Sequence, residues 1–366
     1  MRSGFSVPWR EYPEPLCSRS STAPSSGGVT QSRIVPMKSA PPCWIFWLGQ
    51  ILQQMKKASL PRRGKARLPA SRTVSAVLAP LVLLPLFLAP SQWEPLIPRL
   101  SEKYRTITLG GIELGAVTIL ESRGRAVGYL QMVRTLIDET RLRPGETVLE
   151  VGCGTGVLDR WLAHDTGGAH RIVGVDINRY LLQEAGALSR KEGLEDTIEY
   201  REGSAEALPF PDNSFDVTMS VTVIEEVDAK HLLAEMVRVT KPRGRVAVIA
   251  RSVDIPFLMN LPLCPPLKAK VEATGMNFAN IEEHGCADAS LYRRFHQAGL
   301  TQVKMLPQFA AFDRADPTVV QWMQNSLLSK LSQDEAQEWN TARAQAEADG
   351  TFFMGWPHHC AIGTKP

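Results

Sequence analysis

A chain of 366 residues, 44% apolar and 22% charged, suits one globular enzyme-sized domain plus an appendage and is neither fibrous nor of low complexity throughout. Its six cysteines include no Cys-x-x-Cys and no paired spacing, which excludes a disulfide framework and fits a reducing compartment, cytoplasmic or organellar. The net charge of +3 hides two unlike halves: residues 1–93 carry twelve Lys/Arg against two Asp/Glu, and residues 94–366 carry 29 against 36. The basic excess lies in a Ser/Pro-rich stretch without periodicity, and the acidic remainder argues against a nucleic-acid partner.

Residues 1–93 read as a leader, largely disordered by composition, with one apolar run at 74–89 between Arg72 and Glu94. A membrane span needs about 20 residues, and Pro80 and Pro85 interrupt this run. A secretory signal would have the basic flank and apolar core, but no small-x-small cleavage site follows. The arginine- and serine-rich, acid-poor character fits an organelle leader. Met55, followed by two lysines, suits an alternative start. The expectation is a leader that associates weakly with membranes through 74–89, a linker over 94–123, and one folded domain over 124–366.

That domain opens on an amphipathic helix whose buried side is marked by Leu130, Val133, Leu136 and Ile137 and which carries Tyr129. The stretch 147–156, TVLEVGCGTG, follows as an apolar strand running into three glycines spaced by two. Gly152, Gly154 and Gly156 let the chain turn tightly and are expected to present bare amides to a ligand at the next helix start. In a dinucleotide fingerprint the third glycine stands three residues after the second, and that position is Val157. Glu150, two places before the first glycine, repels a pyrophosphate and favours a ligand end that carries an amino group. No Lys-Ser/Thr pair closes the loop, so a phosphate-binding P-loop is excluded.

A second apolar run at 171–176 ends in Asp176, and a helix is predicted over 178–190 with Asn178 as its cap. An acid at the tip of the second strand of a βαβ unit reaches a ribose diol. Together the two motifs imply an adenosine-type ligand at the carboxyl ends of parallel strands.

The third stretch, 202–216, EGSAEALPFPDNSFD, joins the third strand to a fourth at 217–221. With VLEVGCGTG and GVD ending at Asp176, it resembles the class I S-adenosylmethionine-dependent methyltransferases. The nearest branch is the small-molecule group that includes the ubiquinone/menaquinone-biosynthesis C-methyltransferases. The helix at 232–239, the turn Lys241-Pro-Arg-Gly244 and the strand at 245–250 resemble the family's helix, Lys-Pro-Gly-Gly turn and fifth strand. The resemblance spans 124–366 and implies a Rossmann-like, doubly wound, seven-stranded α/β sheet. That sheet is mostly parallel with the last strand antiparallel, and helices cover both faces.

The resemblance implies S-adenosyl-L-methionine as cofactor. Gly152, Cys153, Gly154 and Gly156 would line its methionyl part, Glu150 would orient its amino end, and Asp176 would hold the ribose hydroxyls. Ile177, Ser204, Ala205 and Ser220 fall at further cofactor-binding positions. Ser204-Ala205 stands where the family has Asp-Ala, so the adenine contact loses a charged acceptor. Glu226 stands where the family often has histidine. Glu225 or Glu226 can serve as a base if the acceptor must lose a proton; a first-turn helix acid is the plainer reading. Cys153 is given no catalytic part, and no metal site is expected.

Residues 252–281, rich in Pro, Leu and Met, break the helix-strand rhythm and suggest a lid-like insertion over 252–287, or an inserted piece that packs on the core. A helix at 288–298, a strand at 302–306, helices at 317–330 and 333–349 and a strand at 352–364 complete the chain. Glu335, Glu338, Arg343 and Glu347 read as a solvated helix face. His358, His359 and Cys360 alternate across that last strand and cannot converge on one ion. The expected activity is methyl transfer to a small, apolar acceptor at oxygen or carbon. The rivals are a non-catalytic cofactor-binding protein and an NAD-dependent oxidoreductase.

Overall fold

Strands that are apolar on both faces must lie inside a sheet covered on both sides. The computed structural model, which describes residues 80–83, 93, 95–108, 115–273 and 281–366, builds such a sheet from the elements the sequence marks. Ahead of it, Pro80–Leu83 (β1) pairs in parallel with Arg105–Thr108 (β2), and the helix Ile97–Ser101 (α1) falls between them in the chain. The remainder of the apolar run, and the candidate start at Met55, lie outside the described residues. Among the described residues no helix is long and apolar enough to cross a membrane.

The domain runs Gly115–Arg125 (α2), Val127–Thr140 (α3), Thr147–Val151 (β3), Val157–Asp165 (α4), Arg171–Asp176 (β4), Arg179–Lys191 (α5), Ile198–Glu202 (β5) and Phe215–Val221 (β6). It continues through Ala229–Val239 (α6), Thr240–Arg251 (β7), Leu258–Met259 (β8), Pro265–Glu272 (α7), Ser290–Gln297 (α8), Thr301–Met305 (β9) and Gln308–Asp313 (β10). Pro317–Leu328 (α9), Gln333–Ala348 (α10) and Phe353–Thr364 (β11) close it. The order across the sheet is β10-β11-β7-β6-β3-β4-β5, with β3 through β7 parallel and β11 antiparallel to β7. The order reverses between β3 and β6, so a crevice opens beyond their carboxyl ends. One face packs α3, α4, α9 and α10, with Trp339 and Trp356 wholly buried; the other packs α6 and α8.

Caps mark the helix starts. Asn178 accepts the Tyr180 and Leu181 amides, Asp228 accepts those of Lys230 and His231, and Ser332 forms a reciprocal box with Glu335.

Four features differ from the sequence-based expectations. First, the single strand expected at 302–306 is the first half of an edge strand. β9 lies against the end of β11, with Met305 opposite Ala361, and β10 against its beginning, with Gln308 opposite His358. Pro307 separates them because it has no N–H to give. Second, the expected turn at Lys241-Pro-Arg-Gly244 belongs to β7, where a register shift accommodates Arg243 at φ 64°. Third, α2 belongs to the domain rather than to a linker, since Val117 and Glu121 are buried under it. Fourth, the face of α10 expected to be solvated docks α7. Glu335 pairs with Lys270 at 2.7 Å, and Glu338 accepts the Cys264 amide at 2.7 Å.

In the insertion, Phe257, Met259, Leu261, Leu263, Leu267 and Val271 all point into the main core cluster, and β8 pairs with Met354 and Gly355. The described part therefore packs as core; Met276 and Phe278 lie outside the described residues.

Candidate active site

The loop after β3 holds Gly152, Gly154 and Gly156 at φ 79°, 55° and 66°, where any side chain is strained. Packing demands the same residue: a Cβ on Gly156 would sit 2.1 Å from the Tyr200 hydroxyl, and one on Gly152 2.3 Å from Val223. The expectation that loop amides face a ligand is corrected. Gly152 and Cys153 donate to the Val175 carbonyl (2.7 and 3.1 Å), Gly154 to Asp176 Oδ2 (2.8 Å) and Gly156 to the Cys153 carbonyl (2.8 Å). The end of β4 lies directly alongside the loop, and buried amides must find partners.

Above the loop, α2 and α3 enclose a cavity of about 40 Å³ lined by Leu120, Arg123, Tyr129, Glu150, Gly154 and Thr155, among others. Thr155 Oγ1 and Arg123 Nε are buried there with no hydrogen-bond partner, Glu150 is paired with the carboxyl of Asp159, and the Tyr129 hydroxyl has Thr222 beside it. Arg123 stacks 5.2 Å from the centre of the Tyr129 ring and donates to Thr222 Oγ1 at 3.3 Å. Thr222 itself stands at φ 57°, a strained conformation for a β-branched residue.

Glu150 is 2% exposed and hydrogen-bonds the equally buried carboxyl of Asp159. Burial, then the Asp159 charge, raises the Glu150 carboxyl well above its ordinary range. Burial raises Asp159 to about 6 against the pull of Glu150 and Arg160. The two form a coupled pair that holds a proton between them. Asp159 escapes a sequence reading because position 159 looks like an ordinary first-turn helix acid. Burial also raises the Cys153 thiol, with Asp159, Glu150 and Asp176 adding to it, so it stays protonated.

Asp176 accepts the Gly154 amide on Oδ2 and the Asn178 amide on Oδ1, both at 2.8 Å, and burial still raises its carboxyl. Each oxygen keeps a second lone pair. Ile177 beside it is 73% exposed. Ser204 Oγ accepts the Glu206 amide at 3.2 Å in a local turn, and Ala205 packs against the core. Ser220 is buried and donates to the Val151 carbonyl at 3.0 Å, tying β6 to β3.

Glu225 and Glu226 lie before α6, whose cap is Asp228, so neither is a first-turn helix acid. Both hold Arg251, the last residue of β7. Glu225 Oε1 accepts its Nε at 2.5 Å, and Glu226 accepts from its other end. Glu225 is wholly buried, its Oε2 has no partner, and burial outweighs Arg251 to raise its carboxyl. Glu226 is a half-exposed surface partner. A freely reaching base at either position is thus replaced by an ion-paired anchor.

β11 brings further groups that the sequence marks only as plain strand. His358 lies between Trp356, tilted to it at 5.6 Å, and Tyr129, edge-on at 6.2 Å, while His359 points to the other face and meets Asp254 at 2.5 Å. The spacing reveals the alternation but gives no sign that His358 lands beside Arg251.

Residues 149–248 match the family model described as a methyltransferase domain. Over 182 residues the chain is 32% identical to the ubiquinone/menaquinone biosynthesis C-methyltransferase of Hahella chejuensis, covering 47% of this chain and 73% of that one. The chain belongs to the S-adenosylmethionine-dependent methyltransferase family. The Escherichia coli K12 protein of the same name is 33% identical over 191 residues, covering 50% and 72%. Against the Enterobacter protein of that name the match is 39% over 123 residues and spans 49% of the relative's length. Among solved structures, the YcgJ protein of Bacillus overlaps with 18% identity and a TM-score of 0.44 over 64% of this chain and 98% of that one. Overlap at that level adds nothing to the fold described above.

The residues of this methyltransferase fit the family's cofactor. The polar atoms buried around the glycine loop comprise a carboxyl shared with Asp159, two hydroxyls and a guanidinium N–H, a mixed set that suits a zwitterionic amino-acid end. The cavity itself offers about one water's share of space, so ligand access requires α2 or Arg123 to move.

Proposed function

We propose that the protein transfers a methyl group from S-adenosylmethionine to a small, apolar acceptor at oxygen or carbon. The polar atoms buried around the glycine loop carry this reading, because a partnerless one such as Thr155 Oγ1 or Arg123 Nε costs roughly 1–3 kcal/mol until something pairs with it. When bound, the cofactor supplies a methyl group already activated on a sulfonium, so the protein's work is mainly positioning. Glu150 receives the amino end, and an ammonium placed there favours ionisation of both members of the Glu150–Asp159 pair. The free lone pairs of Asp176 meet the ribose hydroxyls, exposed Ile177 covers the adenine face, and Ser204 and Ala205 flank its edge. Ser220, whose hydroxyl is committed to β3, shapes the floor.

Two observations support an apolar ring as acceptor. The names of the relatives refer to ubiquinone and menaquinone biosynthesis. Tyr129, which lines the cavity over the loop, meets Phe312 and, through His358, the pair Trp356 and Trp322 in a continuous run of rings. Weak membrane association through residues 74–89 belongs to the same proposal, and a full-length protein that stays wholly soluble without detergent overturns it.

Calorimetry with S-adenosylhomocysteine and with NAD, then a tritiated-methyl screen over quinols, phenols and lipids, tests the assignment. Binding of the first ligand alone, with label entering a ring acceptor, is expected. NAD binding alone overturns it. Cofactor binding without transfer supports a non-catalytic binder.

A further inference from the structure

β11 runs antiparallel to β7, and His358 stands opposite Arg251, the final residue of that strand. This places the imidazole at the carboxyl edge of the parallel strands, where ligands of such sheets bind. His358 Nδ1 lies 2.9 Å from the Trp356 carbonyl. A carbonyl can only accept, so Nδ1 carries the hydrogen and Nε2 presents a bare lone pair. Nε2 is wholly buried and meets no donor. Trp356 stands two residues earlier on the same face of β11, and its Nε1–H is likewise buried without an acceptor. The buried Tyr129 hydroxyl, with Thr222 beside it, belongs to a ring that lines the cavity over the glycine loop and meets His358 edge-on.

An obligate acceptor and an obligate donor thus gather inside an aromatic enclosure with nothing to bind. Apolar cores do not keep such groups by default, since each bears a desolvation cost that nothing offsets. The geometry points to His358 as the specificity-determining residue of the acceptor site, receiving the hydrogen of a ring hydroxyl while Trp356 Nε1–H donates to an oxygen of the same ligand. The inference rests on the methyl-transfer reading and adds the residues that would select a hydroxylated ring over its methyl ether.

The charges facing His358 keep the lone pair available. Burial comes first, and Arg123 on α2, Arg251 on β7 and His359 on its own strand act with it; together they overcome the Trp356 carbonyl and push the imidazole down to about 3. The ring therefore stays neutral at working pH and serves as a fixed acceptor rather than as a proton store. Tyr129 lines the cavity on one side and touches His358 on the other, so its side chain must swing for the ring to be reached.

The test uses the full chain saturated with S-adenosylhomocysteine and two probes, 2-naphthol and 2-methoxynaphthalene, titrated by fluorescence and calorimetry. The wild type is expected to prefer the naphthol about tenfold or more, the worth of one well-made hydrogen bond in a buried site. His358→Phe keeps a ring and should bring that ratio to about one while leaving methoxynaphthalene affinity in place. His358→Gln returns an acceptor and should restore part of the preference. In the unmutated protein, the nitrogen-15 resonance of His358 Nε2 should move with naphthol and stay still with the methoxy compound. Equal binding of the probes, an unchanged ratio in His358→Phe, or a silent nitrogen resonance overturns the inference. If the naphthol preference holds but S-adenosylhomocysteine does not bind, the methyl-transfer reading fails and His358 keeps its role.

Discussion

The two ends of the sheet answer the problem of buried polarity in opposite ways. At the amino end lies a groove of about 750 Å³, lined by Arg141, Arg143, Glu146, Lys241, Arg245 and Lys304 among others. All three of its carboxylate side chains are paired: Arg245 grips Glu146, Lys241 meets Asp216 at 2.8 Å, and Lys304 meets Glu139 at 2.6 Å. At the carboxyl end the cavity is some twentyfold smaller, yet Arg123, Thr155, Glu225, Trp356 and His358 each leave a buried atom unpaired. Volume marks one pole and unsatisfied chemistry marks the other. Orphaned polar atoms, more than empty space, locate the place where this protein is built to receive something.

The sharpest break of that contrast removes one arginine from each pole. Arg251→Leu leaves Glu225 wholly buried without a cation and should cost about 3–5 kcal/mol in urea unfolding. Arg245→Leu frees a Glu146 that water can reach and should cost about 1 kcal/mol; equal costs would erase the distinction. Glu150→Gln comes next, lowering S-adenosylhomocysteine affinity by roughly a hundredfold in calorimetry, the worth of one charged buried contact.

Asp159→Asn should act on stability in the other direction. The folded protein holds this carboxyl at about 6, above its ordinary 3.8. This carboxyl therefore costs the wild type nothing below 3.8 and costs stability as pH rises through about 6, a cost that an amide at 159 does not carry. A gain of up to roughly 3 kcal/mol at neutral pH, vanishing in acid, is expected, since each tenfold change in proton affinity is worth about 1.4 kcal/mol. Equal pH profiles for the two proteins would show that the carboxyl pair is not coupled.

At the amino pole, Arg243→Gly should raise stability by about 1 kcal/mol, because φ 64° strains arginine and not glycine. The smallest effect is Ser204→Asp, expected to tighten S-adenosylhomocysteine binding a few-fold by supplying a charged acceptor; weaker binding would show that Ser204 does not face the ligand.

Much of the fold and of the cofactor loop is legible in the residues alone. The strand, three glycines and acid at 147–156, and Asp176 on the neighbouring strand, are local patterns, and local patterns survive folding. The loop amides escape such a reading because their partner, the end of β4, lies some twenty residues away and is brought close only by sheet pairing. β10 escapes it for a related reason. Phe309 and Phe312 fall on opposite faces, so the segment lacks a strand's alternation and becomes one only against β11. The roles of Asp159, Arg251 and His358 are invisible in the sequence because each depends on burial or on cross-strand neighbours that spacing does not encode.

The place of β11 also governs how the molecule assembles. This strand is flanked by β7 on one side and by β9 and β10 on the other, and ten of its twelve residues, from Met354 to Gly363, are buried. Its partner β7 lies about a hundred residues upstream, so its docking closes a long loop and comes late. The glycine loop, Glu150 and Asp176 belong to strands adjacent in sequence, whereas His358 and Trp356 arrive only with that final insertion. A folding intermediate competent for the nucleoside but blind to the acceptor is the natural outcome, and hydrogen exchange should find β3 and β4 protected before β11.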